Sequence, residues 1–190
     1  MKISAFIATS IDGFIARYNG DIDWLEKANN LLPAGEDCGY ARFFNQIDCL
    51  VLGRKTFEKV LGFKEWPYGN KSVFVMSKKG IAVPERLSNT VFSTDKSPSA
   101  LKIELAQKGF SHIYVDGGQV IRSFLSSGLL DEITITRIPV MIHNGISLFN
   151  SDDKFSSLST PDLWFELTES RSWTFGFVQE VWNMKQEENS

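Results

Sequence analysis

The sequence is poor in the residues that build metal centres and disulfide frameworks. Its 190 residues include two cysteines, Cys38 and Cys49, and two histidines, His112 and His143. No C-x-x-C spacing occurs, so no zinc set is expected and the metal prediction is none. Net charge is also small. Twenty Lys and Arg against 23 Asp and Glu leave -3, which gives no footprint for nucleic acid or an anionic membrane surface. No apolar run approaches the roughly 18 residues of a spanning helix. Asp12 breaks the N-terminal stretch before a signal-like segment develops, so a cytoplasmic protein is expected.

Two nucleotide motifs are missing as well. No G-x-G-x-x-G follows any predicted strand, and Gly53-Arg54-Lys55-Thr56 is not a Walker loop, because Cys49 and Arg54 stand where that motif needs glycine. What the chain does have is 43% apolar and 13% aromatic residues, ample for a packed core. No linker or repeat divides it. One domain over residues 1–184 is expected, with 185–190 as a flexible tail.

Hydrophobic patterning predicts strands at residues 2–8, 49–53, 72–76, 90–93, 112–115 and 132–138. A helix is predicted over 35–47, where Tyr40, Phe43, Phe44 and Ile47 share one face. Others start near Thr56, at Ser97-Pro98 with a cap and an N1 proline, and around Val120–Leu125 ahead of Gly128. Residues 164–184 read as two strands with a link around 170–172. Strands alternating with helices, then strands alone, imply a mostly parallel sheet with antiparallel C-terminal additions. Ligands of such sheets bind beyond the carboxyl ends of the strands.

Three strand-end turns there suit an anion. Gly53-Arg54-Lys55-Thr56 joins a glycine, two cations and a hydroxyl to a helix start. Asp116-Gly117-Gly118 allows close backbone approach, and Ser77-Lys78-Lys79 suits a ribose phosphate. Each also reads as an ordinary βα turn. Asp37 lies three, four and seven positions before Tyr40, Ala41 and Phe44, at the edge of the apolar helix face. Such an acid is either a proton relay or heterocycle anchor, or a first-turn acid favoured by the helix dipole. Asp12-Gly13 reads as a turn. Trp24 and His143 fall in loops, where they line a pocket or simply pack.

Taken in order, these segments resemble the dihydrofolate reductase-like superfamily, and the reductase domain of the riboflavin-biosynthesis deaminase-reductases in particular. The resemblance rests on residues 10–16 (SIDGFIA), 52–58 (LGRKTFE), Gly117-Gly118, 129–133 (LLDEI), 138–140 (IPV) and Leu148-Phe149. It implies a three-layer α/β/α fold and an NADPH-dependent reductase of a planar nitrogen heterocycle. That substrate class spans a pyrimidine such as 5-amino-6-(5-phosphoribosylamino)uracil and a pterin or dihydrofolate-like compound. A non-catalytic NADP(H)-binding sensor or structural protein is the alternative. The resemblance also implies residue roles. Ala8, Ile15 and Ala16 line the nicotinamide side. Gly53, Arg54, Lys55 and Thr56 hold the pyrophosphate and 2′-phosphate region, with Ser77 and Lys78 by the adenosine ribose. Gly117, Gly118, Gln119, Val120 and Ile121 cradle the diphosphate. Trp24 and Tyr40 belong to the substrate pocket, and Asp37, sixteen positions ahead of Gly53, matches the pterin-binding acid. Asn70 stands where true dihydrofolate reductases carry a folate-clamping arginine, and an amide cannot replace that guanidinium. Relatives of this kind commonly dimerise, and Trp164, Phe165, Trp173, Phe175, Phe177 and Trp182 load the C-terminal tail with apolar area, so a homodimer is expected.

Overall fold

The central strands of the parallel array are buried on both faces, whereas the outer strand of the C-terminal antiparallel hairpin is exposed along nearly all its length. The computed structural model describes residues 1–149 and 162–185. The expected tail falls outside this set from residue 186 on. Two compact units emerge, Met1–Ala5 with Arg42–Leu130, and Phe6–Ala41 with Asp131–Ser190.

The first unit carries the start of β1 (Lys2–Ser10), α2 from Arg42 on (Tyr40–Gln46), β3 (Cys49–Gly53), α3 (Arg54–Leu61), β4 (Ser72–Met76), β5 (Val91–Thr94), α4 (Pro98–Gln107), β6 (His112–Asp116) and α5 (Gly118–Ser126). Its strand order is β5-β4-β3-β6-β1, all parallel. Leu50, Val51 and Leu52 of β3 are buried, as are Val73 and Val75 of β4 and Ile113 and Val115 of β6. Continuous burial is what a parallel strand covered on both faces requires. α3 packs on β3 and β4, and α5 on β3 and β6. Phe43 of α2 meets Tyr114 edge-on at 5.0 Å. Ser97 caps α4 by accepting the Ala100 amide at 3.4 Å, with Pro98 at its start, as the sequence predicts.

The second unit holds the rest of β1, β2 (Phe14–Ala16), α1 (Asp23–Asn29), β7 (Glu132–Ile138), β8 (Ile146–Ser147), β9 (Phe165–Ser172) and β10 (Val178–Met184). Here the order is β1-β7-β10-β9, with β10 antiparallel to both of its neighbours, and β2 pairs with β8 as a separate ribbon. Trp24, Ala28, Cys38, Ile138, Ile142 and Phe177 form its buried cluster. The fold is thus mixed α/β, with a mostly parallel sheet and antiparallel C-terminal strands, as expected.

Several boundaries differ from the sequence reading. β1 runs on to Ser10, and β2, β8 and α1 occupy what reads as loop, because two- and three-residue strands and a seven-residue helix carry too little periodicity to register. The helix predicted over 35–47 begins at Tyr40, since Cys38 adopts a left-handed φ of 54° that ends any helical run before it. The tail turns at residues 173–177 rather than 170–172. The Gly176 amide donates to the Trp173 carbonyl at 2.9 Å and the Trp173 amide to Phe177 at 2.9 Å, which closes the hairpin there.

Candidate functional site: a basic cleft and a clamped loop

Three βα turns of the first unit meet at the carboxyl ends of β3, β4 and β6. β3 ends at Gly53 in extended conformation, and α3 starts at once with Arg54 and Lys55. No acid lies in its first turn and no side chain caps it, so the leading amides point outward unsatisfied by any cap. After β4, Ser77 Oγ donates to the Gly80 carbonyl at 2.8 Å and accepts from the Lys79 amide at 3.3 Å, which folds the 77–80 turn on itself. β6 ends at Asp116, and Gly117 precedes α5 with φ 90°.

Two close approaches lock these turns together. A side chain on Gly117 would collide with Thr56 Oγ1, and one on Gly53 would press on Val120 Cγ2 at 3.3 Å. Gly117 is therefore required on two counts, its left-handed backbone and the hydroxyl seated against it. The result is a cleft of about 420 Å³ lined by Gly53, Arg54, Lys55, the 76–79 turn, Gln119, Val120 and Ser123, within the range of small-molecule sites. Arg54 donates to the Glu58 carboxylate at 2.7 Å. Among the described residues Lys55, Lys78 and Lys79 form no ion pair.

Of the cofactor residues expected from sequence, the cleft gathers Gly53, Arg54, Lys55, Ser77, Lys78, Gln119 and Val120. Thr56 and Gly117 do not line it but join its turns through the contact above, and Gly118 and Ile121 are buried in α5. Asp116 opens one of the three turns named from sequence, but its carboxylate has no role assigned there. It is half-buried, and its carboxylate accepts the Gly117 amide at 2.7 Å. Burial pushes its pKa up to about 6, against the opposing pull of that amide. The available signal was an acid closing a buried strand directly before paired glycines.

The acids of the second unit behave differently. Asp12 binds the Ser10 hydroxyl at 2.6 Å and the Ile142 and His143 amides at 3.3 and 2.8 Å. Burial opposes its ionisation, yet those three donors together hold the carboxyl below its usual range. Gly145 has no room for a side chain, because a β-carbon there would collide with the Ala16 carbonyl. Asp12 and Gly145 thus pin the 142–145 loop to the strands around Ala8, Ile15 and Ala16, of which Ala16 is buried and the other two are half-buried. His143 is exposed, with a left-handed φ of 66°.

Asp37 needs correction in its placement. It precedes α2 rather than lying on it, is exposed, and accepts the Gly39 and Ala41 amides at 2.8 Å each. One oxygen therefore caps the first turn of α2 and the other closes the turn ahead of it. Its neighbour Glu36 accepts the Cys38 amide at 2.7 Å and the Trp173 indole at 3.1 Å, and Gln179 donates to the Cys38 carbonyl at 2.9 Å and to Thr136 at 2.8 Å. Neither residue stands out in the sequence, since Trp173 lies 137 positions from Glu36, and Cys38 and Thr136 lie 141 and 43 positions from Gln179. Tyr40 meets Phe6 edge-on at 5.5 Å. Trp24 is only 3% exposed, and its indole nitrogen has no hydrogen-bond partner among the described residues. The thiols of Cys38 and Cys49 are free and buried, and burial pushes them up to about 11 and about 12. Both are protonated at neutral pH. No metal-binding cluster of His, Cys, Asp and Glu exists among the described residues.

Glycine turns and cations at the carboxyl ends of parallel strands define an α/β protein with a basic cleft. The family model of the RibD C-terminal domain matches residues 1–177, and the chain belongs to that family. It is 33% identical over 153 residues to the uncharacterized protein YwjB of Bacillus subtilis, covering 78% of this chain and 83% of YwjB. It is similar to the crystal structure of a protein from Shewanella sp. PV-4 named for riboflavin biosynthesis, with a TM-score of 0.85 and 34% identity over 98% of this chain and all of that one. The deaminase/5-amino-6-(5-phosphoribosylamino)uracil reductase of Thermotoga maritima shares the fold at a TM-score of 0.70 and 15% identity, over 97% of this chain and 56% of that one. The chain therefore has the reductase fold of the RibD C-terminal domain.

Proposed function

We propose that this protein is an NADPH-dependent reductase of a planar nitrogen heterocycle. One observation carries the reading: the cleft of the first unit joins open helix-start amides, Gly117 without room for a side chain, and the cations Arg54, Lys55, Lys78 and Lys79. These are the groups a diphosphate and a 2′-phosphate need. Bound there, the cofactor would supply a hydride to the acceptor. Gly117 and Thr56 keep the turn open for backbone contact, and the lysines neutralise phosphate charge. Asp12 holds the 142–145 loop on the residues assigned to the nicotinamide side. On the substrate side, the buried indole N–H of Trp24 is the donor offered to the heterocycle, with Tyr40 beside Asp37. A pyrimidine intermediate is favoured over dihydrofolate, because Lys71, next to Asn70, donates to the Ile47 carbonyl at 2.6 Å and no arginine stands ready for a glutamate tail.

A second reading, binding without turnover, draws on the occupied carboxylate of Asp37. Incubation with NADPH and a panel of pyrimidine and pterin compounds separates the two. Oxidation with one of them supports the reductase; cofactor binding with none oxidised supports the sensor.

We further propose a cytoplasmic homodimer. No helix among the described residues is long and apolar enough to cross a membrane, and the two free thiols suit a reducing compartment. Of the tail aromatics, Phe177 is buried in the core of the second unit, and Trp173 and Phe175 are half-buried against it. Trp164 is exposed, however, and β9, last in the strand order, is exposed along nearly all its length. Together with the groove of Ile133, Ile135, Phe149, Phe165 and Trp182, it offers an edge for a second copy. Light scattering at micromolar concentration should give twice the chain mass, and a monomer mass contradicts the dimer.

A further inference from the structure

The first turn of α3 sets a physical problem. A helix start carries partial positive charge, so acids stabilise it and bases do not. Here that turn holds Arg54 and Lys55 and no acid. One turn later, Glu58 takes the Arg54 guanidinium at 2.7 Å. Arginine ahead of glutamate at this spacing is the weaker order for a helical ion pair. With side chains 41% and 53% exposed, the pair adds little to stability. Helix energetics therefore do not account for the arrangement. Arg54 lines the cleft while Glu58 does not.

Resting on the cofactor reading above, we propose that Glu58 is a stand-in anion, holding Arg54 until a nucleotide phosphate displaces it, and so sets the margin by which a 2′-phosphate is preferred. Two effects act in the same direction. Glu58 competes for the guanidinium, and its own charge opposes the incoming phosphate. The carboxylate does not oppose a ribose that carries only hydroxyls, since a carboxylate is what such a ribose usually meets. Glu58 is in this sense a positioning residue for cofactor choice, acting through Arg54.

Direct calorimetric titration of the wild type, Glu58→Gln, Arg54→Gln and the double variant tests this, with NADPH, NADH, 2′,5′-ADP and 5′-AMP as probes. In Glu58→Gln the NADPH-to-NADH affinity ratio should rise about two- to fivefold, the span of an exposed ion pair. The ratio of 2′,5′-ADP to 5′-AMP should rise in parallel, although neither probe carries a nicotinamide. In the Arg54→Gln background the second change should bring no such gain. An unchanged or lower ratio in Glu58→Gln overturns the role of Glu58 while leaving the cofactor reading intact. An equal gain without Arg54 also overturns it, by reducing the effect to bulk charge. Failure of the wild type to bind any of the four overturns the cofactor reading and this inference with it.

Discussion

The cleft of the first unit and the 36–41 loop of the second contain similar raw material, charged side chains beside glycines at helix starts. They use it in opposite ways. In the cleft, Lys55, Lys78 and Lys79 form no ion pair among the described residues, and only Arg54 is engaged, by an exposed glutamate. In the loop, each carboxylate is saturated from within, Asp37 by two amides and Glu36 by an amide and an indole. A charged group kept for a ligand is one the fold does not itself satisfy. By that criterion the cleft has the charge and open space an anion would need, and the loop holds its own shape.

The sharpest way to break this contrast is at Gly117. Gly117→Ala must adopt φ 90° and displace Thr56 Oγ1. It should lose about 2–4 kcal/mol of stability by urea unfolding and most nucleotide affinity. Gly109→Ala, with a similar φ but open space around it, should lose less stability and keep binding. Next comes Asp116. Its pKa is raised from 3.8 to about 6 in the folded chain, so its contribution is fully present below about pH 4 and fades as pH rises through 6. Asp116→Asn should flatten the fall in urea midpoint across that window, by on the order of 2 kcal/mol; parallel profiles would show that the carboxyl is solvated. Lys78→Ala and Arg54→Ala should each shrink the preference for NADPH over NADH, by up to about tenfold. Smallest is the cap. Asp37→Ala should cost about 1 kcal/mol of stability and Asp37→Asn a fraction of that, because an amide oxygen caps almost as well. If Asp37→Asn keeps its stability but abolishes turnover, the acid has a chemical role beyond the cap.

How much of this was legible beforehand follows from the range of the interactions. The parallel strands at 49–53, 72–76 and 112–116 announce themselves because burial on both faces leaves an unbroken apolar run. The turns after them are legible as strand-end turns, although each also reads as an ordinary βα connection. β2 and β8 are invisible because they are too short to carry a period, and α1 because it packs on Ile138, Ile142 and Phe177, far away in the chain. Asp37 shows the limit of local reading. Its spacing to Tyr40 and Phe44 suits a helix face, but the left-handed Cys38 delays the helix to Tyr40 and leaves Asp37 ahead of it. Glu58 shows the same limit from the other side. The cations of residues 53–56 include no acid between them, yet the helix brings one back a turn later.

The central claim is that the basic cleft is a site for a 2′-phosphorylated nicotinamide nucleotide. It is tested most directly by titrating the wild-type protein with NADPH and NADH in parallel and measuring both dissociation constants by calorimetry. One well-placed charge-assisted contact is worth roughly 1.5–3 kcal/mol, so NADPH should bind at least about tenfold more tightly than NADH. Equal constants, or no binding of either, would mean that Arg54, Lys55, Lys78 and Lys79 are solvated surface and the cleft has no part in cofactor recognition.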